Sequence, residues 1–336
     1  MKLIRNISLL FFLIGNVAFG QQYTTKAYGF YQEGKFEDAR IYADSAIVSN
    51  ERFNSQLWQL RGLIYRKLEN QYNLAENRNI AIESFIQARN LDEEGKYKQK
   101  IDDYLYHTVV RYYNDAVTEM NNNELEASEG SYLAYKDKYV KYVDAAKDFS
   151  SGDIEFYTAL GSEYLKLVST QIGEEKTKNT AKGVNYFLEV LKIDGNQFGP
   201  NFNIGVMYYN NGADLIMNSD PLTPIEEIPL IEAKAQDYFK RAMPYLEKAR
   251  QLDPTRIDVI EALTGCCYGL YGSDNEEYQK YQKMLDEKNL PILLNKHKAS
   301  PQDRQIIQEL VRIYSTTFKD DTEYKKFAEI LNNLEE

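Results

Sequence analysis

Residues 157–164 read YTALGSEY, and the spacing within them decides how the rest of the chain is read. Tyr157, Leu160, Gly161 and Tyr164 stand at offsets of three, four and seven, which places all four on one face of a helix. A glycine in mid-helix costs about 1 kcal/mol against alanine, so it needs a reason. This spacing suggests one: a second helix approaches where the side chain is missing, and Tyr164 fills the space one turn on.

The same face recurs. NFNIGVMY carries Asn201, Ile204, Gly205 and Tyr208, and WQLRGLIY carries Trp58, Gly62 and Tyr65, with Arg61 where an aliphatic residue is expected. EALTGCCY carries Gly265 and Tyr268. A second pattern accompanies the first. AIESFIQARNLD sets Ala81, Phe85 and Ala88 before Asp92, GVNYFLEVLKIDG sets Gly183, Phe187 and Val190 before Asp194, and AMPYLEKARQLDP sets Ala242, Leu246 and Ala249 before Asp253 and Pro254. In ARIYADSAIVSN the small residues are Ala39, Ala43 and Ala46. Small residues bracket a large one, and a helix-stopping pair closes each unit.

Together these patterns resemble the tetratricopeptide repeat, over most of residues 23–336. Tyr23–Asn50 has Ala27 in the glycine position, and 97–149 is carried only by the Asn121–Asn123 turn with Ala127 and Ala134. The resemblance implies an all-α, right-handed superhelical α-solenoid of antiparallel helical hairpins. The last hairpin, 301–335, is expected to act as a C-terminal cap, opened by Ser300, Pro301 and Asp303. It further implies that first helices line a concave groove that binds a protein or peptide. The groove positions are Tyr28, Tyr31 and Gln32, then Gln59, Leu63, Arg66 and Lys67. Thr158, Ser162 and Lys166 follow, then Phe202, Val206, Tyr209 and Asn210, with Ala262, Cys266 and Leu270 last. Some family members clamp a C-terminal carboxylate with paired asparagines. The matching positions here are Ser162 and Val206, so that mode is not expected.

The chain opens MKLIRNISLLFFLIGNVAFGQQ. Lys2 and Arg5 precede an apolar run from Ile7 to Val17, and Ala18 and Gly20 sit three before and immediately before Gln21. That is the form of a secretory signal peptide over residues 1–20. The run is shorter than the ~20 residues that span a bilayer. Residues 21–336 are then read as a single exported domain, periplasmic or secreted, with no transmembrane segment after cleavage. Without Lys2 and Arg5, 38 basic residues face 51 acidic ones, a net −13 against −11 for the whole chain. That charge disfavours nucleic acid and anionic membrane as partners.

Cys266 and Cys267 are adjacent in mid-helix, and a bond between them would be strained. They read as small packing residues, Cys266 toward the concave surface and Cys267 against a neighbouring helix. With two histidines, His107 and His297, no metal site is expected, and no cofactor. No nucleophile elbow, zincin, phosphate-binding or dinucleotide motif occurs. The expectation is a non-catalytic scaffold or assembly factor of the bacterial cell envelope. The alternative is a SusD-like glycan-binding helical-repeat protein, suggested by the 28 tyrosines.

The chain departs from the family pattern at one kind of turn. Where the family has about nine residues between the tyrosine and the next small residue, Tyr65 to Ala81 is sixteen, Tyr164 to Gly183 nineteen and Tyr208 to Ala242 thirty-four. Equivalent turns of a solenoid line up, so the expansions are expected along one edge. The longest, 213–236, contains Pro221, Pro224 and Pro229. An irregular segment between two helical extensions is expected there. Leu222, Ile225, Ile228 and Leu230 are expected to pack on the adjacent repeat.

Overall fold

The computed structural model describes residues 22–72, 75–220 and 222–334. The signal peptide expected over residues 1–20 lies outside the described residues, as does Pro221. The described chain is all-α and falls into two compact units, residues 22–149 and 150–334.

The first unit holds α1 (Gln22–Gln32), α2 (Phe36–Ile47), α3 (Ser55–Tyr72), α4 (Ala75–Asn90), α5 (Lys98–Asn121) and α6 (Leu125–Tyr142). The second holds α7 (Ser150–Val168), α8 (Gly173–Ile193), α9 (Phe198–Met217), α10 (Ile228–Leu252), α11 (Ile257–Tyr271), α12 (Glu276–Ala299), α13 (Arg304–Arg312) and α14 (Asp321–Asn333). Consecutive helices pack in pairs, and within each unit the second helix of one pair packs on the first helix of the next, with first helices also touching at α1 on α3 and at α7 on α9 on α11. The helix pairs are tetratricopeptide-like, and their contacts explain the sequence pattern.

The contact lies where the pattern places it. A methyl group added to Gly62 would stand 2.4 Å from the Phe85 ring, one at Gly161 2.9 Å from Phe187, and one at Gly205 2.5 Å from Leu246. Each glycine lies under the large residue of the second helix. Phe85, Phe187 and Leu246 are fully buried, as are Ala81 and Ala88 or Ala242 and Ala249 around them.

Two variations preserve this logic with different atoms. Arg61, in the aliphatic position, donates from Nε to Asp44 Oδ1 and from Nη1 to Ser84 Oγ, both at 2.8 Å. Its guanidinium lies 4.7 Å from the Tyr65 ring centre and 5.7 Å from that of Trp58. An ion pair sandwiched by aromatics replaces the methyl groups. In the α5–α6 pair the small residue is Ser128, not Ala127. Ala127 is exposed, whereas Ser128 is buried and donates to the Ala116 carbonyl at 2.7 Å. Tyr132, four residues on, is 1% exposed. Small-x3-aromatic thus holds in this pair one position later than expected.

The α11 face is also shifted. Gly265 faces back onto Tyr209 of α9, 2.5 Å from an added methyl, and Tyr268 is 59% exposed where Tyr65 and Tyr164 are buried.

The turn expansions are largely helix. α3 continues seven residues past Tyr65, and α9 runs through Met217 before an irregular stretch, with α10 beginning at Ile228. The expected packing of the 213–236 apolar residues does not occur. Leu222, Ile225 and Leu230 are 87%, 80% and 64% exposed, and Ile228 is 41% exposed. The ten residues between α9 and α10 hold two prolines, Pro221 and Pro224, and Pro229 follows in the first turn of α10, which leaves few free backbone torsions to fold those side chains back.

Candidate functional site

Three first helices of unit 1 meet around a small recess of about 60 Å³. α1 contributes Thr24, Tyr28, Tyr31 and Gln32, α3 contributes Gln56, Gln59, Leu60 and Leu63, and Tyr97, just before α5, joins Lys100 and Tyr104 of α5. Five of the sequence-predicted groove residues therefore converge: Tyr28, Tyr31, Gln32, Gln59 and Leu63. The α5 contribution was not predicted, because 97–149 lacks the glycine that sets the register elsewhere. The only sequence signal is Tyr97 and Tyr104 seven apart with Lys100 between.

The walls are fixed from behind. Gln56 Nε2 donates to the Tyr97 hydroxyl at 2.6 Å, and the Tyr97 amide donates to Asp92 Oδ2 at 2.7 Å. Tyr104 rests on the buried Phe85 ring, centroids 5.3 Å apart, and Tyr31 on Phe36 at 5.7 Å. Burial raises the pKa of both Tyr31 and Tyr104, against a lowering by Arg66. They remain neutral hydroxyls.

Arg66 stands one turn along α3 from Leu63, half-buried, with no ion pair or hydrogen bond among the described residues. Its pKa is lowered by burial first and then by the like charge of Arg111. Behind it lies Glu69, 2% exposed, 2.6 Å from Arg78 and 3.2 Å from Arg111. Arg78 also reaches Asp115 at 2.6 Å. Three arginines thus face two carboxylates on the α3 side of the recess, while on its α1 side Thr24 donates to the buried Glu51 carboxylate. Lys67, predicted with Arg66, is exposed and does not line it.

The predicted residues of unit 2 do not form a comparable recess. Ser162 turns its hydroxyl back to the Thr158 carbonyl at 2.8 Å, and Lys166 pairs with Glu163 at 2.6 Å on the surface. Phe202 stacks on Phe198 at 5.7 Å with Arg256 4.8 Å and 5.4 Å above the two rings. Val206 and Tyr209 pack against the α10–α11 core, and Asn210 is exposed. The larger cavity of unit 2, about 840 Å³, lies instead where its two turn expansions meet, between the start of α8, the end of α9 and Tyr238.

Cys266 and Cys267 are both free and fully buried. Cys266 does not face an open surface; Tyr209, drawn in over Gly265, covers that side. Burial pushes the two thiols up to about 12 and about 11. At pH 8 neither is expected to react with iodoacetamide in the folded protein, and both should react in denaturant. Rapid alkylation of the native chain, read by mass spectrometry, would contradict this packing.

Among the described residues no helix is long and apolar enough to cross a membrane, and no cluster of His, Cys, Asp or Glu is placed to hold a metal. No family model and no curated protein matches the chain. Among solved structures, the chain is similar to Pseudomonas aeruginosa PilF (12% identity, 91% of this chain and 95% of that one, TM-score 0.28). It is also similar to the TPR2AB domain of yeast Sti1 in its pHSP90 complex (12%, 94% and 98%, 0.25) and to the human IFIT1 dimer with m7Gppp-AAAA (11%, 92% and 79%, 0.28). At TM-scores this low the likenesses add nothing to what the helix pairs themselves display.

Proposed function

We propose that the chain is a non-catalytic scaffold or assembly factor that holds a segment of another protein in the unit 1 recess. The leader-like first twenty residues support a place outside the cytoplasm, in the cell envelope. The observation that carries the binding reading is the convergence of α1, α3 and α5 side chains on one recess with an unpaired, half-buried arginine at its edge. Tyrosines offer rigid apolar walls with polar tips, and the glutamines offer amide donors and acceptors to a peptide backbone. The recess has room for one side chain, and Lys100 and Arg66 favour a carboxylate next to it.

A library of short peptides pairing an apolar residue with Asp or Glu tests this by fluorescence polarisation. Acid-containing members are expected to bind, and Lys100→Glu is expected to weaken them about tenfold, or 1.4 kcal/mol, with an unchanged melting curve. Lys67→Glu should have a smaller effect, since Lys67 stands outside the recess. Equal binding to the wild type and to Lys100→Glu would remove the recess as the site.

A further inference from the structure

We infer that the two turn expansions of unit 2 form a second docking face, one that takes an amphipathic, lysine- or arginine-flanked apolar segment of a partner protein. The face has a trough and a lip. The trough is the 840 Å³ cavity, with Ile172 and Lys176 from the start of α8, Asp214 and Leu215 from α9, and Tyr238 from α10. Its floor is tied by the ion pair between Lys176 and Asp214 across α8 and α9. That volume lies within the range of built binding clefts and holds several side chains.

The lip is apolar and uncovered. Ile172, which lines the trough, is 89% exposed, and in the second expansion Met217 is 81% exposed, followed along the chain by the exposed Leu222, Ile225 and Leu230. Each large aliphatic side chain gains about 1.5–3 kcal/mol on burial, and exposed apolar residues gathered in one segment mark contact surfaces more often than chance.

Charge selects the occupant. Residues 213–236 carry five carboxylates against one lysine. Glu226, Glu227 and Glu232 there, with Glu174 and Glu175 at the start of α8, are exposed and make no ion pair among the described residues, five carboxylates set against Lys178 on the trough wall and Lys234. An apolar surface fringed by unpaired carboxylates matches a segment that is apolar on one face and basic around it. The same fringe repels an anionic bilayer, and a second copy would bring like charges together.

The test is calorimetric titration of the mature chain with three synthetic 18-residue probes. These are a Leu–Lys amphipathic helix, a Ser–Lys peptide of equal charge and a Leu–Glu helix of opposite charge. The Leu–Lys helix is expected to bind, and the other two at least tenfold more weakly. Leu222→Ser with Ile225→Ser should weaken the Leu–Lys helix about tenfold, and Glu226→Lys with Glu227→Lys should weaken it and flatten its salt dependence. All these positions are exposed, so melting curves should not move. Lys100→Glu, in the other unit, should leave this binding intact, which separates failure here from failure of the unit 1 site. Equal binding of the Ser–Lys or Leu–Glu peptide overturns the proposal. So does insensitivity to both variants, binding to phosphatidylglycerol vesicles in preference to the peptide, or a dimer in sedimentation that Leu222→Ser with Ile225→Ser dissolves.

Discussion

Gly62→Ala is expected to destabilise the protein by about 1–3 kcal/mol, and Gly62→Leu by at least as much. The sign is the informative part. In an exposed helix the same change stabilises by about 1 kcal/mol, because alanine has the higher helix propensity. Here the added carbon would stand 2.4 Å from one Phe85 ring atom and 2.7 Å from two others. Phe85 has no room to retreat, being fully buried and backed by the Tyr104 ring. α3 and α4 must therefore separate, losing contacts along both helices. Urea denaturation should show a lower midpoint with an unchanged slope.

The controls are in the same unit. Gly29 in α1 and Gly130 in α6 have open space where a methyl would go, so alanine there should be neutral or stabilising. Phe85→Leu in the Gly62→Ala background should recover part of the loss, since the smaller side chain clears the new carbon. Gly161→Leu should repeat the effect in unit 2 against Phe187. If Gly62→Ala melts like the wild type, the glycine-under-aromatic contact is not what pairs these helices.

That contact was legible in the sequence because glycine and its large partner recur at fixed offsets on two successive helices. The limits of legibility are equally physical. Ser128 stands outside the alanine pattern because a hydroxyl hydrogen-bonded to a facing carbonyl packs as closely as a methyl. Half of the recess was legible, on α1 and α3, where register was set by Ala27 and Gly62. Tyr97, Lys100 and Tyr104 were not, because nothing in α5 marks which face turns inward. The exposure of Leu222 and Ile225 was unreadable for another reason. Apolar residues in an irregular segment look the same whether something covers them or not. Arg61 read as a defect in the pattern, and only its partners Asp44 and Ser84, distant in sequence, turn it into a packing residue.

Glu69→Ala is expected to cost about 3–5 kcal/mol, the penalty for breaking a buried ion pair from one side. Glu69 and Arg78 are 2% and 3% exposed, so neither charge is solvated when its partner is lost. Removing Glu69 leaves Arg66, Arg78 and Arg111 with only Asp115 among them. Arg66 already has a lowered pKa from burial and from Arg111, and the loss of its nearest carboxylate adds to that repulsion. Glu69→Gln keeps the shape and a hydrogen-bond acceptor and should cost less. Replacing Glu69 and Arg78 together with methionine should cost less than Glu69→Ala alone, because the fully buried Arg78 charge is then not left without Glu69. Urea melts of the two single changes and the double change measure the coupling directly, and additive losses would mean the pair is not acting as one. The arrangement also bears on the recess. Glu69 offsets part of the positive charge gathered behind Arg66, so a milder variant that folds, Glu69→Gln, should bind acidic peptides at least as tightly as the wild type while being less stable. A variant that lost stability and acidic-peptide affinity together would mean that Arg66 is held in place by Glu69 rather than balanced by it.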